Sequence, residues 1–289
     1  MNSDLYPTAV IADSARIGRA VSIAPFCVLG ENVEIGEEAI LGPGCVIGEG
    51  AKIGAGVRLA AHVTIGEHCQ IEAGTIIGAQ TTIYPKTRIG EGTFIGSSAS
   101  VGRPPRAAST STVKNQVDLP PLNIGRNCTI GCSAVVYAGT VLGDGVFVGD
   151  GALVRERCRL GEKVVVGSGS AVENDTKIGA YTKIQTGSYI TAYMEIEERV
   201  FIAPMVTTTN DNFMGRTEKR FKYIKGATIR RGARIGGGAI LLPGIEVAEE
   251  TFVAAGSLVT KDTPARKVLK GFPAKVSGDV PEEELLEQE

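Results

Sequence analysis

The sequence predicts an all-β protein built as a parallel β-helix, and two observations support this fold class. An aliphatic residue recurs every six positions in three blocks, from Ile11 to Val101, from Ile124 to Ile202 and from Ile229 to Val259. A six-residue period fits neither an α-helix nor a heptad, but it suits a short strand followed by a corner. The 289 residues also include 38 Gly, no Trp and only 5% aromatic side chains, which excludes a core of large rings. With three strands per coil, the stacked repeats would make about 12 coils.

The fourth residue after each aliphatic position is small, which indicates a second inward-facing position near a corner. Five of the six cysteines occupy this position, and we expect them to be small core residues rather than ligands. They are Cys27, Cys45, Cys69, Cys128 and Cys158. Cys27 and Cys45 are one coil apart, close enough for a disulfide, but the absence of a secretion signal favours free thiols. Cys132 lies outside the pattern and has no predicted role.

Charge and composition exclude several classes of function. The chain has 30 Lys and Arg against 32 Asp and Glu, a formal net charge of −2, which argues against a dedicated nucleic-acid binder. No stretch approaches the roughly 18 apolar residues of a membrane span, and the N-terminal segment does not resemble a secretion leader. We therefore expect a cytoplasmic protein. Two His residues cannot supply a three-histidine zinc site, so no metal is expected.

Two interruptions of the repeat divide the chain. The predicted segments are N-terminal coils over 1–102, an inserted loop over 103–123, further coils over 124–264 and a tail over 265–289. The first loop is either a solvent-exposed insertion or a flap over a site or a subunit contact. A second loop, 208–224, interrupts the later coils.

The second loop and the residues after it are rich in basic and aromatic side chains. Between Arg216 and Arg234 the chain has eight basic residues and one acid. Such a segment is either a solvated surface or a binding loop whose cations hold phosphates and whose rings stack on a base. The second interpretation predicts a substrate-binding set of Asp211, Phe213, Arg216, Phe221 and Tyr223.

The acidic end of the tail predicts a terminal cap. Residues 279–289 carry six acids, and we expect a short helix there. Its Leu285 and Leu286 would cover the open strand edge of the last coil.

The repeat unit, an aliphatic residue usually followed by Gly, resembles that of the hexapeptide-repeat acyltransferases. This resemblance implies a left-handed helix and a homotrimer, neither of which the period itself gives. Four segments further resemble motifs of the members that N-acetylate nucleotide-linked amino sugars. They are 201–211 (FIAPMVTTTND), 225–229 (KGATI), 253–262 (VAAGSLVTKD) and 270–275 (KGFPAK). The chain departs from those enzymes at 212–216 (NFMGR) and in about five additional N-terminal coils.

The same resemblance implies acetyl-CoA as the acyl donor and a dTDP- or UDP-linked sugar as the acceptor. Residues of the matching motifs are expected to contact the cofactor, namely Lys225, Gly226, Ala227, Ala255 and Gly256. Five basic residues near the C-terminus have one acid, Asp262, among them and are expected to bind the phosphates of CoA. They are Lys261, Arg266, Lys267, Lys270 and Lys275.

A column of polar residues provides the predicted catalytic groups. The related lipid A acyltransferases place their catalytic His two residues after the aliphatic position, on the outer surface of a flat side. In this chain the same position, followed at 18-residue steps, holds Ala138, Glu156, Asn174, Ala192 and Asn210. We expect Glu156 to accept a proton from the amine, and Asn174 and Asn210 to orient the sugar. The alternative is that these residues are polar only because they face water.

The positions of the two histidines guide the choice of reaction. His62 and His68 fall three residues after their aliphatic positions, which predicts corner residues outside the catalytic column. Without an imidazole base, an amine is a better acceptor than an alcohol. The sequence therefore predicts a CoA-dependent N-acyltransferase, with acetyl as the acyl group, acting on a nucleotide-diphosphate amino sugar. A sugar O-acyltransferase, a longer-chain acyltransferase of the lipid A type and a non-catalytic scaffold remain alternatives.

Overall fold

The computed structural model describes residues 4–109 and 118–286 of the chain. These residues form two units, and each is a left-handed parallel β-helix with three sheets. Unit 1 comprises Met1–Gly151 and Arg155–Arg157, and unit 2 comprises Ala152–Val154 and Cys158–Glu289. Residues 110–117 of the predicted first loop and 287–289 of the tail lie outside the described part. The predicted all-β fold class and its left-handed form are confirmed.

Unit 1 contains three sheets, here named 1A, 1B and 1C, in which successive strands along the chain alternate from sheet to sheet. Sheet 1A consists of Asp4–Leu5, Ser22–Ile23, Ile40–Leu41, Arg58–Leu59, Ile76–Ile77, Phe94–Ile95, Thr129–Ile130 and Phe147–Val148. Sheet 1B consists of Val10–Ile11, Val28–Leu29, Val46–Ile47, Thr64–Ile65, Thr82–Ile83, Ser100–Arg103 and Val135–Tyr137. Sheet 1C consists of Arg16–Ile17, Glu34–Ile35, Lys52–Ile53, Gln70–Ile71, Arg88–Ile89, Asn123–Ile124 and Val141–Leu142.

Unit 2 repeats this arrangement in sheets 2A, 2B and 2C. Sheet 2A consists of Val165–Val166, Lys183–Ile184, Phe201–Ile202, Arg234–Ile235, Phe252–Val253, Lys267–Gly271 and Ala274–Asp279. Sheet 2B consists of Leu153–Val154, Ala171–Val172, Tyr189–Ile190, Thr207–Thr208, Ile240–Leu241 and Leu258–Val259. Sheet 2C consists of Arg159–Leu160, Lys177–Ile178, Glu195–Ile196, Thr228–Ile229 and Glu246–Val247. One α-helical turn, Arg220–Tyr223, and one 3₁₀ turn, Glu282–Glu284, complete the described elements.

The six-residue pattern predicts the core correctly. From Ile23 onward, every aliphatic position of the three blocks is buried. The five cysteines of the small inward position are at most 1% exposed, whereas Cys132 is exposed, and none of the six forms a disulfide. The alternative of a disulfide between Cys27 and Cys45 is therefore wrong. The chain makes about 14 turns rather than the predicted 12, because Asp4–Leu5 begins the helix before Ile11 and a hairpin extends its end.

From Ala20 onward, most corners place one residue in the left-handed region of backbone conformation. His62 and His68 occupy such positions, with φ of 58° and 54°, so their predicted location at corners is confirmed.

Many aliphatic positions are followed by Gly because neighbouring coils are in close contact there. A Cβ atom on Gly36 would lie 2.5 Å from the backbone nitrogen of Ala55 in the next coil. Only Gly allows the coils to approach to strand spacing there.

The tail agrees with its prediction in part. The predicted short helix is present as the 3₁₀ turn Glu282–Glu284. Lys267–Gly271 and Ala274–Asp279 form an antiparallel hairpin that was not predicted, and this hairpin covers the open strand edge of sheet 2A by pairing with Phe252–Val253. The chain then makes the 3₁₀ turn, and the Leu286 N–H donates a hydrogen bond of 3.1 Å to Glu250 Oε1 at a corner of unit 2.

Within the described residues, no helix is long and apolar enough to cross a membrane.

Candidate functional site

The predicted catalytic column lies at corners rather than on a flat side. Glu156 and Asn174 stand in the turns that follow Leu153–Val154 and Ala171–Val172, because strands in this chain end at the aliphatic position itself. The outward residue of a flat side is instead the one before the aliphatic position. Glu156 belongs to unit 1, whereas Asn174 and Asn210 belong to unit 2.

Glu156 is not available as a proton acceptor. Its side chain is 1% exposed, so the predicted outward orientation is wrong. Arg155 Nε–H donates to Glu156 Oε2 at 2.8 Å, and Arg155 Nη2–H donates to Oε1 at 3.1 Å. A buried carboxylate needs such charge-assisted partners to offset its desolvation. Glu156 therefore serves to hold Arg155.

Asn174 and Asn210 lie at the corner that follows sheet 2B. We call this corner the Asn corner. Ala192 has the same position in the coil between the two asparagines. Asn174 is 5% exposed, and its amide donates to Asp175 Oδ2 at 2.6 Å. Asn210 is half-buried, and its amide donates to the Ala192 carbonyl at 3.4 Å. Both amides are thus held by local hydrogen bonds. Their side-chain oxygens can accept, and their N–H groups donate, hydrogen bonds of the kind that sugar hydroxyls form.

The second loop begins and ends at the Asn corner. Its return is fixed by Lys225, whose N–H donates to the Asn210 carbonyl at 3.0 Å. Gly226 is buried, and a Cβ atom there would clash with Met194. Ala227 is 0% exposed and occupies the small inward position of the repeat. The contact of Gly226 and Ala227 with a cofactor stays a prediction, and in the structure this pair leads the chain back into the helix.

Asp211 and Arg220 form an ion pair within this loop. The side chains are 14% and 18% exposed, and Arg220 Nε lies 3.2 Å from Asp211 Oδ2. Asp211 also accepts hydrogen bonds from the backbone N–H groups of Phe213 at 2.8 Å and Gly215 at 2.9 Å. Desolvation opposes ionisation of Asp211, but these hydrogen bonds and the charge of Arg220 prevail, and its pKa is lowered from the ordinary value of 3.8. The carboxylate of Asp211, predicted to bind substrate, is thus engaged in shaping the loop.

The loop that this ion pair holds exposes aromatic and basic side chains together. The rings of Phe213 and Tyr223 lie 6.0 Å apart between centroids, and Phe221 and Tyr223 are more than half exposed. Arg216 is exposed as well, and Lys222 Nζ lies 5.5 Å from the centroid of Tyr223. The predicted combination of rings and cations is therefore present on one short segment. Exposed rings next to cations can stack on a base and bind its phosphates.

The C-terminal basic residues do not form one patch. Arg266 and Arg231 line a cavity of about 450 Å³ together with four glutamates, whose excess of negative charge disfavours a phosphate. The glutamates are Glu249, Glu250, Glu282 and Glu283. The Lys267 ammonium pairs with Asp279. Lys270 and Lys275 face each other across the hairpin, and both are exposed.

Exposed groups remain at the hairpin and at the turn before it. Phe272, at the hairpin tip between the two lysines, is 71% exposed and was not predicted from the sequence. Its position between two Lys in KGFPAK is the only sequence signal for it. Ala255 and Gly256 form an exposed turn, and Lys261 is exposed after Leu258–Val259.

Imidazole groups are absent from this part of the chain. Both His residues of the sequence belong to unit 1. No group of three or more His, Cys, Asp or Glu in the described ranges is arranged to hold a metal ion.

Comparison with protein families agrees with the repeat. Residues 121–156 match the model of the bacterial transferase hexapeptide (six repeats), and residues 27–104 match the model of the GMPPB C-terminal domain. Each of these two models matches less than half of the chain. The resemblance to hexapeptide-repeat transferases noted in the sequence is confirmed, whereas closeness to the enzymes of nucleotide-linked amino sugars stays a prediction.

Curated acetyltransferases match parts of the chain. It is 36% identical over 103 residues to the serine acetyltransferase of Buchnera aphidicola subsp. Acyrthosiphon pisum (strain APS), covering 36% of the chain and 35% of that protein. It is 33% identical over 96 residues to a putative acetyltransferase of Saccharomyces cerevisiae, covering 32% of the chain and 49% of that protein. The chain thus spans less than half the length of each. Among solved structures, UDP-N-acetylglucosamine acyltransferase from Campylobacter jejuni is 16% identical, with a TM-score of 0.34, covering 96% of this chain and 75% of that one.

Proposed function

We propose that this hexapeptide-repeat protein is an acetyl-CoA-dependent N-acetyltransferase whose acceptor is the amine of a nucleotide-diphosphate-linked sugar. The observation that carries the proposal is the Asn corner, where two ordered amides meet both ends of a loop bearing exposed rings and cations. The acetyltransferase names of its partial relatives support the transfer of acetyl in general.

The reaction depends more on holding the two substrates close together in the right orientation than on a catalytic acid or base. A neutral amine attacks the thioester carbonyl carbon, a C–N bond forms, the C–S bond breaks, and CoA leaves as a thiolate. The thiolate, directly or through water, takes the proton that the amine nitrogen loses, so Glu156 is not required. In this scheme Asn174 and Asn210 orient the sugar so that its amine meets the carbonyl carbon.

An amine is the acceptor that this environment favours. A hydroxyl is far less nucleophilic than a neutral amine and requires a general base, which is most often His. Unit 2 contains no His. The same argument makes sugar O-acetylation the weaker candidate.

The loop supplies the nucleotide contacts in this proposal. Phe213, Phe221 and Tyr223 offer rings for the base, and Arg216 offers a guanidinium for the diphosphate. Asp211 acts indirectly, because its ion pair with Arg220 fixes the position of these rings.

Acetyl-CoA is assigned to the exposed end of unit 2. Lys270 and Lys275 provide two adjacent cations for its phosphates, and Phe272 between them provides a ring for its adenine. Ala255, Gly256, Lys225 and Lys261 remain assigned to the cofactor as exposed positions of the matching motifs. Arg266 and Lys267 are left out because carboxylates surround or pair them. We further propose a homotrimer, since neighbouring subunits would shield the corner from water.

Kinetics of corner variants test this function. Asn174→Ala and Asn210→Ala should each lower kcat/KM for the amino sugar by about 10- to 100-fold while the KM for acetyl-CoA stays nearly constant. The matched control is Asn127→Ala, because Asn127 stands at a corner of unit 1. Equal activity of all three variants with the unmodified protein would refute the assignment of the Asn corner.

A further inference from the structure

A β-bulge in unit 1 turns one arginine onto a tyrosine ring. The pairing of Ser100–Arg103 with Val135–Tyr137 shifts register between Val101 and Arg103, so that Arg103 becomes the partner of Tyr137. Gly102 makes this possible with φ of +87°, and a Cβ atom on it would clash with Thr87 Oγ1. The guanidinium carbon of Arg103 lies 5.5 Å from the centroid of the Tyr137 ring. Bulges that redirect a side chain in this way are frequent next to binding sites.

A second arginine contacts the same ring. The guanidinium carbon of Arg155 lies 5.2 Å from the Tyr137 centroid. Buried Glu156 holds this guanidinium through two hydrogen bonds, and the backbone carbonyl of Arg155 accepts a hydrogen bond of 2.7 Å from Thr140 Oγ1. Arg155 is thus fixed in place before any ligand arrives.

The two arginines differ in their charge partners. Arg155 is paired with Glu156, whereas no carboxylate in the described ranges lies within ion-pair distance of the exposed Arg103. The first inserted loop begins and ends beside them. The Ala138 N–H donates to the Arg103 carbonyl at 3.0 Å, and the Gly139 N–H donates to the Pro120 carbonyl at 2.7 Å.

A comparable stack in unit 2 shows what such a cluster looks like without a bulge. The ring of Tyr181 has Lys163 at 5.3 Å on one side and Arg199 at 5.3 Å on the other. All three stand at corresponding positions of successive corners, and Lys163 is paired with Glu162 at 3.1 Å. This stack follows from the repeat alone. The cluster at Tyr137 requires a break in the repeat, which places an extra guanidinium without a carboxylate partner.

We propose that Arg103, Tyr137 and Arg155 form a phosphate-binding site at the base of the first inserted loop, which takes the phosphoryl groups of a small molecule. Guanidinium groups bind phosphate oxygens through paired N–H donors, and an ordered guanidinium loses little freedom on binding. Tyr137 also carries a hydroxyl group, which is a further hydrogen-bond donor of this cluster. Glu156 is a positioning residue for this site, because it sets the orientation of Arg155.

Binding of pyrophosphate to the full-length protein tests the site, with isothermal titration calorimetry at low salt as the measurement. Arg103→Gln changes an exposed residue and should keep the fold, which a thermal melt checks. We expect it to raise the Kd for pyrophosphate at least about tenfold, and Tyr137→Leu to raise it to a similar degree. The controls, Arg126→Gln and Tyr181→Leu, should leave the Kd unchanged. Arg126 is an exposed arginine of unit 1 that is paired with Asp144.

Competition identifies the source of the phosphate. If UDP displaces pyrophosphate in an Arg103-dependent manner, the result supports a nucleotide as the ligand. If CoA displaces it, the result supports the acyl donor as the ligand. If neither displaces it, the result supports free pyrophosphate or phosphate as the ligand. Absence of pyrophosphate binding, or an equal loss in Arg103→Gln and Arg126→Gln, would overturn the proposal. The measurement requires no acyl transfer, so its result is independent of the proposed function.

Discussion

The thiols differ in their access to water and in their acidity. Burial raises the pKa of Cys45 and of Cys69 to about 11, and it also raises the pKa of Cys27 and Cys128. A raised pKa leaves little thiolate at neutral pH, and the thiolate is the reactive form. Cys132, by contrast, is exposed at a corner.

We therefore expect one fast-reacting thiol per folded chain when an aromatic disulfide reagent is added at pH 8. Cys132→Ser should abolish this phase, and addition of denaturant should release the remaining five thiols. Rapid reaction of two or more thiols in the native protein would show that the inward position is open to solvent.

Glu156 is expected to affect stability. Glu156→Gln replaces a buried carboxylate that accepts two hydrogen bonds from Arg155, and the loss should be about 1–3 kcal/mol of unfolding free energy. Urea denaturation measures it. Glu34→Gln is the control, since Glu34 is also a glutamate of unit 1 paired with Arg16 but with a side chain 42% exposed. An exposed pair of this kind contributes less than about 1 kcal/mol. Equal stability of Glu156→Gln and Glu34→Gln would contradict the burial of Glu156.

At the scale of elements, the second loop depends on one ion pair. Asp211 and Arg220 join the start of the loop to its helical turn and thereby place Phe221 and Tyr223. Because the pKa of Asp211 is lowered from 3.8, its contribution is complete above that value and is lost only when the pH falls through the lowered pKa. The loop should therefore keep its conformation from pH 5 to pH 9.

Asp211→Asn should loosen this loop without touching the Asn corner. We expect the KM for the nucleotide sugar to rise roughly tenfold and kcat to change much less, since the rings contribute to binding rather than to the chemical step. Glu218→Gln, in the same loop and exposed, is the matched control. A fall in kcat with constant KM would instead place Asp211 among the groups that act on the reacting atoms.

Sequence reasoning succeeds for strands and fails at corners and loops, for physical reasons. Along a strand, inward and outward residues alternate, so the hexapeptide period identifies the buried positions such as Ile23 and Cys158. At a corner the direction of a side chain depends on backbone torsion angles, and the orientation of Glu156 could not be deduced from spacing. The Asp211–Arg220 pair and the Arg103–Tyr137 contact join residues that share no repeat. The loop composition and the break after Val101 were the available signals, and they locate a region without giving its contacts.

At the scale of the whole molecule, each of the two units is a β-helix with a six-residue repeat, interrupted by one loop that adjoins a cluster of polar groups. The loop of unit 2 adjoins the Asn corner, and the loop of unit 1 adjoins the Arg103 cluster. In both places, side chains are positioned by a departure from the repeat and not by the repeat itself. We propose that these departures allow a fold made of nearly identical coils to carry distinct sites.

Product analysis with paired acceptors tests whether the protein N-acetylates a nucleotide-linked amino sugar. The protein is incubated with acetyl-CoA and dTDP- or UDP-linked sugars that differ only in bearing an amine or a hydroxyl at one carbon. Released CoA is measured with a thiol reagent, and the product is identified by mass spectrometry. We expect CoA release and an acetamido product with an amino sugar, and little of either with its hydroxyl counterpart. Acetylation of the hydroxyl sugar in preference to the amine, or no transfer to any amino sugar across the panel, would contradict it.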